Sequence, residues 1–400
     1  MPYSARRALI SVYDKQDIET AARILSDNGW EIISTGGTAE HLRNHKIPVT
    51  RVSDLTGFPH ILDGRVKTLH PLVFGPILAR ASIDHQRQLD EMNVSTIDLV
   101  IVNFYPFEAS LQDPELSRSE MVERIDIGGP SMVRAAAKNH SRVTIVVDPD
   151  DYVPICRRLA ESGKLDISER RHLARKAFAA TAHYDALITN YFSEDHSGVP
   201  ATMTITGRRH LDLRYGENPH QPAGLYLSSP RSPLKRMRQI QGKTLSFNNI
   251  LDASMVWEVL TRFREKDPFC VVVKHQNPCG AATRSTLVEA FKAALAGDPV
   301  SAFGGIVGFN SIVDAATAEQ IKPVFLEVIV APEFSSEALR ILEKKKKLRL
   351  LEIPLDYREP GDIRTVPGGF IWQEADHALT EASTFKSLGE RIPDQLLRSD

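Results

Sequence analysis

The stretch Asp63-Gly64-Arg65-Val66-Lys67-Thr68-Leu69-His70-Pro71 sets two cations, a hydroxyl and an imidazole behind a glycine. Neither strict alternation nor a helical stripe accounts for that order, so it does not read as a core element. Arg and Lys supply charge-assisted donors and Gly lets the backbone approach closely, which suits a loop that grips a phosphorylated ligand. Ser11-Val12-Tyr13-Asp14-Lys15 and Ser34-Thr35-Gly36-Gly37-Thr38 carry the same kinds of group. Either alone is equally well a turn in which Gly supplies a positive φ and Ser or Thr caps a helix. Together with the first stretch they indicate a phosphate site.

Proton chemistry has its own candidates. Lys67, Tyr105, Asp126 and Lys138 fall on loops or helix ends that one sheet edge can collect, and Asp and Lys within reach of each other can pass protons. Any one of them alone reads as a surface charge or an ordinary ion pair. Lys274-His275 ends an apolar run, Cys270-Val271-Val272-Val273. An ammonium beside an imidazole disfavours a second positive charge, which suits the imidazole to act as a base; a half-exposed His in a turn is the plain alternative.

Positioning these groups requires a parallel sheet. The apolar run at residues 8–13, helical spacing of Ile18, Ala21, Ala22 and Leu25, a second run at 30–33 and helical spacing through Arg43 give βαβα. The near-continuous apolar run 97–103 has the pattern of a buried parallel strand and delivers Asn103-Phe104-Tyr105-Pro106 to the same edge. Ile125-Asp126-Ile127-Gly128-Gly129-Pro130 then opens an Ala-rich helix over 131–139, a strand follows at 142–147, and 152–192 reads as mainly helical. In such doubly wound α/β folds ligands sit beyond the carboxyl ends of the strands, where helix N-termini attract anions.

The quoted motifs, with Ala135-Ala136-Ala137-Lys138-Asn139-His140, resemble the IMP cyclohydrolase domain of the bifunctional purine biosynthesis family. The resemblance runs from Leu9 to about Tyr191. It implies a methylglyoxal-synthase-like fold that closes formyl-AICAR into IMP with loss of water and no cofactor. Nucleotide binding would fall to Ser11 to Lys15, Ser34 to Thr38, Arg65, Val66, Thr68, Asn103, Ile127 and Gly128, and chemistry to Lys138, Lys67, Tyr105 and Asp126. Phe74-Gly75-Pro76 departs from the family pattern, in a segment expected to be a loop beside the site.

Further on, Arg214-Tyr215-Gly216-Glu217-Asn218-Pro219-His220-Gln221, Lys274-His275-Gln276-Asn277-Pro278-Cys279-Gly280 and Ser301-Ala302-Phe303-Gly304-Gly305 are similar to the AICAR transformylase domain of that family. The resemblance implies a cytidine-deaminase-like fold that transfers a formyl group from 10-formyltetrahydrofolate to AICAR. Arg214 and Tyr215 would hold the phosphoribosyl part, His275 would be the base, Lys274 its electrostatic partner, Gly304 part of the substrate wall and Glu327 an acidic binding residue. Pro278-Cys279 matches half of a zinc deaminase signature, but Ala282 stands where the second cysteine would be. Lys344-Lys345-Lys346-Lys347 reads as a solvated helix end, with attraction of a polyglutamylated folate as the alternative.

With 400 residues, 42% hydrophobic and 25% charged, the chain is long enough for two folded domains. The reading divides it into 1–195, a polar linker at 196–210 and 211–400. A net charge of -2 gives no global field for nucleic acid or an acidic membrane. Cys156, Cys270 and Cys279 lack metal spacing, and with no signal-peptide core at the start they point to the cytoplasm. The family normally continues past the segment matched by residues 365–376. The expectation is therefore an incomplete transformylase half and folate site, with formyl transfer only if the missing part is supplied, and either a homodimer or a second chain that supplies the missing subdomain. The resemblance implies AICAR, formyl-AICAR and IMP as ligands, and the expectation is of no nucleic acid, membrane or metal. A non-catalytic purine-nucleotide-binding or assembly subunit is the alternative.

Overall fold

The computed structural model describes residues 6–59, 61–62, 65–193 and 198–376. Asp63, Gly64, the start of the expected linker and everything after Asp376 lie outside them. The chain divides into two compact units at Thr206/Gly207.

In the first unit, β1 (Arg7–Ser11), β2 (Glu31–Ser34), β3 (Thr50–Arg51), β4 (Leu99–Val102) and β5 (Thr144–Val146) form one sheet in the order β3-β2-β1-β4-β5. Every pairing in it is parallel. All four residues of β4 are fully buried because helices cover both faces, which is why its sequence is apolar without alternation. The helix Ile18–Asp27 buries Ile18, Ala21, Ala22 and Leu25, one stripe of a 3.6-residue period. The helix Gly128–Lys138 buries Ala135, Ala136 and Ala137, whose small side chains let it lie close to its neighbours. Phe74, Gly75 and Pro76 belong to the helix Pro71–Leu78, which corrects the loop expected there. Pro71 takes the first helical position, where a missing N–H leaves no bond unmade.

The second unit opens with the hairpin of β6 (Arg208–Leu213) and β7 (Ala223–Leu227). Its main sheet combines β8 (Arg238–Gln241), β9 (Phe269–Lys274), β10 (Asn277–Thr283), β11 (Ile306–Phe309), β12 (Val328–Ala331) and β13 (Arg349–Glu352) in the order β10-β9-β11-β12-β13-β8. Strand β9 runs antiparallel to both neighbours, whereas β11, β12 and β13 are mutually parallel. Side chains alternate between two cores: Cys270 and Val272 enter one, Val271 and Val273 the other, with the helix Phe247–Arg262 on the second side. A separate hairpin, β14 (Gly361–Val366) and β15 (Gly369–Glu374), follows. Within the lysine run, Lys345 Nζ donates to Lys322 O and Val324 O, so that side chain braces the fold. Among the described residues no helix is long and apolar enough to cross a membrane.

Candidate functional site

Strands are added outward from β1 in both directions, so the sheet reverses its order between β1 and β4. A crevice forms at such a reversal beyond the carboxyl ends of the strands. A cavity of about 690 Å³ lies there, and Ser11, Thr38, Lys67, Asn103, Tyr105 and Asp126 are among the residues lining it.

The loops that form its walls are tied to one another. Thr38 Oγ1 accepts from Val12 N at 3.1 Å and donates to Val12 O at 2.8 Å, which joins the loop after β1 to the helix Gly36–Asn44. The first-turn amides of that helix have no acceptor within it and suit an anion. Asn103 Oδ1 accepts from Tyr13 N (2.6 Å) and Asp14 N (3.2 Å). Its Nδ2 donates to Asp14 O (2.9 Å) and Tyr152 Oη (3.0 Å). Burial pushes the Tyr152 phenol far above its ordinary value, so the ring oxygen stays protonated. Asn103→Leu removes all four bonds. At a net contribution of roughly 1 kcal/mol each, discounted for partial exposure, the first unit loses about 1–3 kcal/mol. Urea unfolding of the variant checks this.

The floor is built on Asp126. Its Oδ1 accepts from Gly129 N at 2.8 Å, and Tyr184 Oη accepts from Asp126 N at 2.8 Å. A Cβ at Gly129 would stand 3.0 Å from Asp126 Cγ, so the glycine is needed for the carboxylate to fold over the helix start. Burial raises the Asp126 carboxyl above the usual carboxylate range, more than the amides of Gly129, Tyr105 and Gly128 and the nearby Lys67 ammonium lower it. Tyr105 is half exposed and its ring lies 5.4 Å from that of Tyr13.

The structure thus brings Lys67, Tyr105 and Asp126 together, with Ser11, Val12, Tyr13, Lys15, Thr35, Gly36, Gly37, Thr38, Arg65, Thr68, Asn103, Ile127 and Gly128 around them. Three other expected residues, Ser34, Asp14 and Val66, adjoin the wall without lining the cavity, and a fourth lies apart. Ser34 is fully buried and donates to Ile10 O at 2.6 Å. Asp14 accepts from Gln16 N at 3.0 Å, and Val66 forms a bridge with Ile61. Lys138 departs most. It ends the helix that Gly128 begins and lines a different groove with Phe74, Leu78, Arg134, His140 and Phe178. Ten residues at 1.5 Å each separate the two ends by about 15 Å, beyond the reach of a lysine side chain. The expectation that Lys138 meets Asp126 at one face of one chain is corrected accordingly. Val122, Glu123 and Met132 line the cavity without having been expected; Glu123 forms an ion pair with Arg65.

In the second unit, Lys274 ends β9 and its Nζ donates to Phe303 O. Gly304, left-handed with φ of 71°, lies beside this pair, and a Cβ there would stand 3.2 Å from the Phe325 ring. His275 follows in the turn to β10. The Arg214 guanidinium lies over the Tyr215 ring, 5.4 Å from its centre. Glu327, just before β12, accepts from Asn249 Nδ2 at 3.2 Å and lies 3.9 Å from Arg349 Nη1. Arg349 also donates from Nε to Lys243 O at 3.0 Å, which anchors the loop running to Asn249. Arg349 was not expected from the sequence, since one arginine opening an apolar strand carries no motif. Among the described residues no three His, Cys, Asp or Glu side chains are arranged to hold a metal ion.

Comparison with known proteins places these two sites in context. A family model described as "AICARFT/IMPCHase bienzyme" matches residues 136–400, and one described as "MGS-like domain" matches residues 17–131. The bifunctional purine biosynthesis protein PurH of Desulfitobacterium hafniense is 47% identical over 402 residues, covering 97% of this chain and 77% of that protein. PurH of Halalkalibacterium halodurans is 46% identical over 394 residues, with 97% and 77% covered. PurH of a Thermoanaerobacter species is 44% identical over 398 residues, with 98% and 77% covered.

Proposed function

Because the chain belongs to the AICARFT/IMPCHase bienzyme family, we propose that it is an enzyme of purine biosynthesis acting as AICAR formyltransferase and IMP cyclohydrolase. The observation that carries the ring-closure assignment is the convergence of Lys67, Tyr105 and Asp126 on the cavity at the reversal between β1 and β4.

Ring closure joins the carboxamide nitrogen of formyl-AICAR to its formyl carbon, and the formyl oxygen leaves as water. Nitrogen and carbon already belong to one molecule, so the cavity does not unite two reactants; it holds the rotamer of formamide and carboxamide that puts them in contact. The phosphate fits the first turn of the helix Gly36–Asn44, with Lys15 and Arg65 at the rim. Lys67 stabilises negative charge on the formyl oxygen. Asp126 takes one proton from the attacking nitrogen, Tyr105 relays protons to the departing oxygen, and the formamide nitrogen gives up its own proton as the ring C=N bond forms, so that the oxygen leaves with two protons as water. Asp126 must be ionised for this, and burial holds its carboxyl above the usual range. The ring-closure rate should therefore fall as pH drops through that raised value, and Asp126→Asn should remove both the rate and its acid limb. A pH series of kcat measures both.

In the second unit His275 takes a proton from the AICAR amine as that nitrogen attacks the formyl carbon of 10-formyltetrahydrofolate, and returns it to the folate nitrogen as the bond to the formyl carbon breaks and tetrahydrofolate leaves. Lys274 stabilises the oxyanion, while Arg214, Tyr215 and Glu327 hold the nucleotide. The sheet supports a cytidine-deaminase-like fold: an antiparallel first strand beside a hairpin partner, followed by parallel crossovers. A homodimer is part of the same reading. Lys138 acts in ring closure from a second copy, because on its own chain it lines a different groove from Lys67, Tyr105 and Asp126. Supplying the purified chain with AICAR and 10-formyltetrahydrofolate should yield IMP and tetrahydrofolate; consumption of neither substrate would refute the assignment.

A further inference from the structure

Lys274 pairs with Asn277 across the β9–β10 hairpin, which leaves His275 and Gln276 as the two central residues of its turn. Both are left-handed, with φ of 53° and 60°. Turns of this kind favour Asn-Gly, because a Cβ crowds the backbone in that conformation. A His-Gln pair therefore needs outside support. Asp252, on the helix Phe247–Arg262, supplies it: its Oδ1 accepts from Gln276 N at 2.7 Å. On the far side, Asn277 Nδ2 donates to His275 O at 2.9 Å. The carboxylate is half-buried, and burial, aided by the neighbouring Glu327, raises it more than the Gln276 amide lowers it.

We propose that Asp252 is a positioning residue for formyl transfer, holding the left-handed His275–Gln276 turn so that the imidazole stands beside Lys274. This rests on the reading of His275 as the base. Asp252 acts through the backbone, so an uncharged acceptor of the same shape serves nearly as well, and a glycine in the turn makes the support dispensable.

The test measures formyl transfer and ring closure in the full chain for Asp252→Ala, Asp252→Asn, Asp252→Ala with Gln276→Gly, and His275→Ala. Misplacing the base in Asp252→Ala should lower kcat for formyl transfer roughly 100-fold, with ring closure unchanged. Asp252→Asn should stay close to wild type, and adding Gln276→Gly to Asp252→Ala should recover most of the lost rate. If Asp252→Ala does not fold, Asp252→Ser, too short to reach the Gln276 amide, replaces it with the same expectations. Wild-type transfer by the Ala or Ser variant, or no recovery with glycine, overturns the proposal. Undiminished transfer by His275→Ala overturns instead the reading of the base on which it rests.

Discussion

Replacing Lys67 with methionine should lower kcat for ring closure roughly 10²- to 10³-fold, the effect of removing a preorganised donor from a developing oxyanion. Methionine keeps the length and apolar stem, so the loop that carries residue 67 loses charge and little else. Two readouts separate this from a general loss of structure. Formyl transfer should be unchanged, because its residues belong to the other compact unit. The acid limb of the residual ring closure should also move to higher pH, since Lys67 is a cation that lowers the Asp126 carboxyl against its burial. Lys67→Arg should retain part of the rate: the charge remains, but a planar fork replaces a compact ammonium.

His275→Ala should have the complementary effect. Losing a general base costs about 10²- to 10⁴-fold, and here the loss should appear in formyl transfer alone. The AICAR KM should change little, because Arg214, Tyr215 and Glu327 hold the nucleotide in this reading and the imidazole does not. Separate progress curves for the two half-reactions on one preparation measure both values.

Much of the first unit was readable from hydrophobic period alone. The run 97–103 had to be a doubly covered strand, and β4 is buried along its whole length. The Gly- and Ser-rich segments after β1 and β2 had to lie at the carboxyl edge, and they line the cavity. Lys138 shows where local sequence misleads. Its motif neighbours Asp126 along the chain, yet a helix turns eleven residues into two distant ends, and type and order contain no hint of that separation. Glu123 and Arg349 were missed for a different reason. Each acts through one partner far away in sequence, Arg65 and Glu327, and isolated charges on a surface helix or at a strand end give no periodic signal. Phe74 to Pro76 was expected in a loop from the family resemblance alone; the structure has the helix Pro71–Leu78 there, with Pro76 near its end. The His275–Gln276 turn was placed by its strand, while its left-handed backbone and dependence on Asp252 are visible only in three dimensions.

The central claim is that the cavity at the β1–β4 reversal closes the purine ring. Its most direct test supplies the purified chain with formyl-AICAR, without folate, and follows IMP formation by absorbance. The account predicts IMP at a rate far above that of the uncatalysed reaction, lowered roughly 10²- to 10³-fold by Lys67→Met and undiminished by His275→Ala. No IMP above the uncatalysed rate, or a rate that survives Lys67→Met and disappears in His275→Ala, would contradict it.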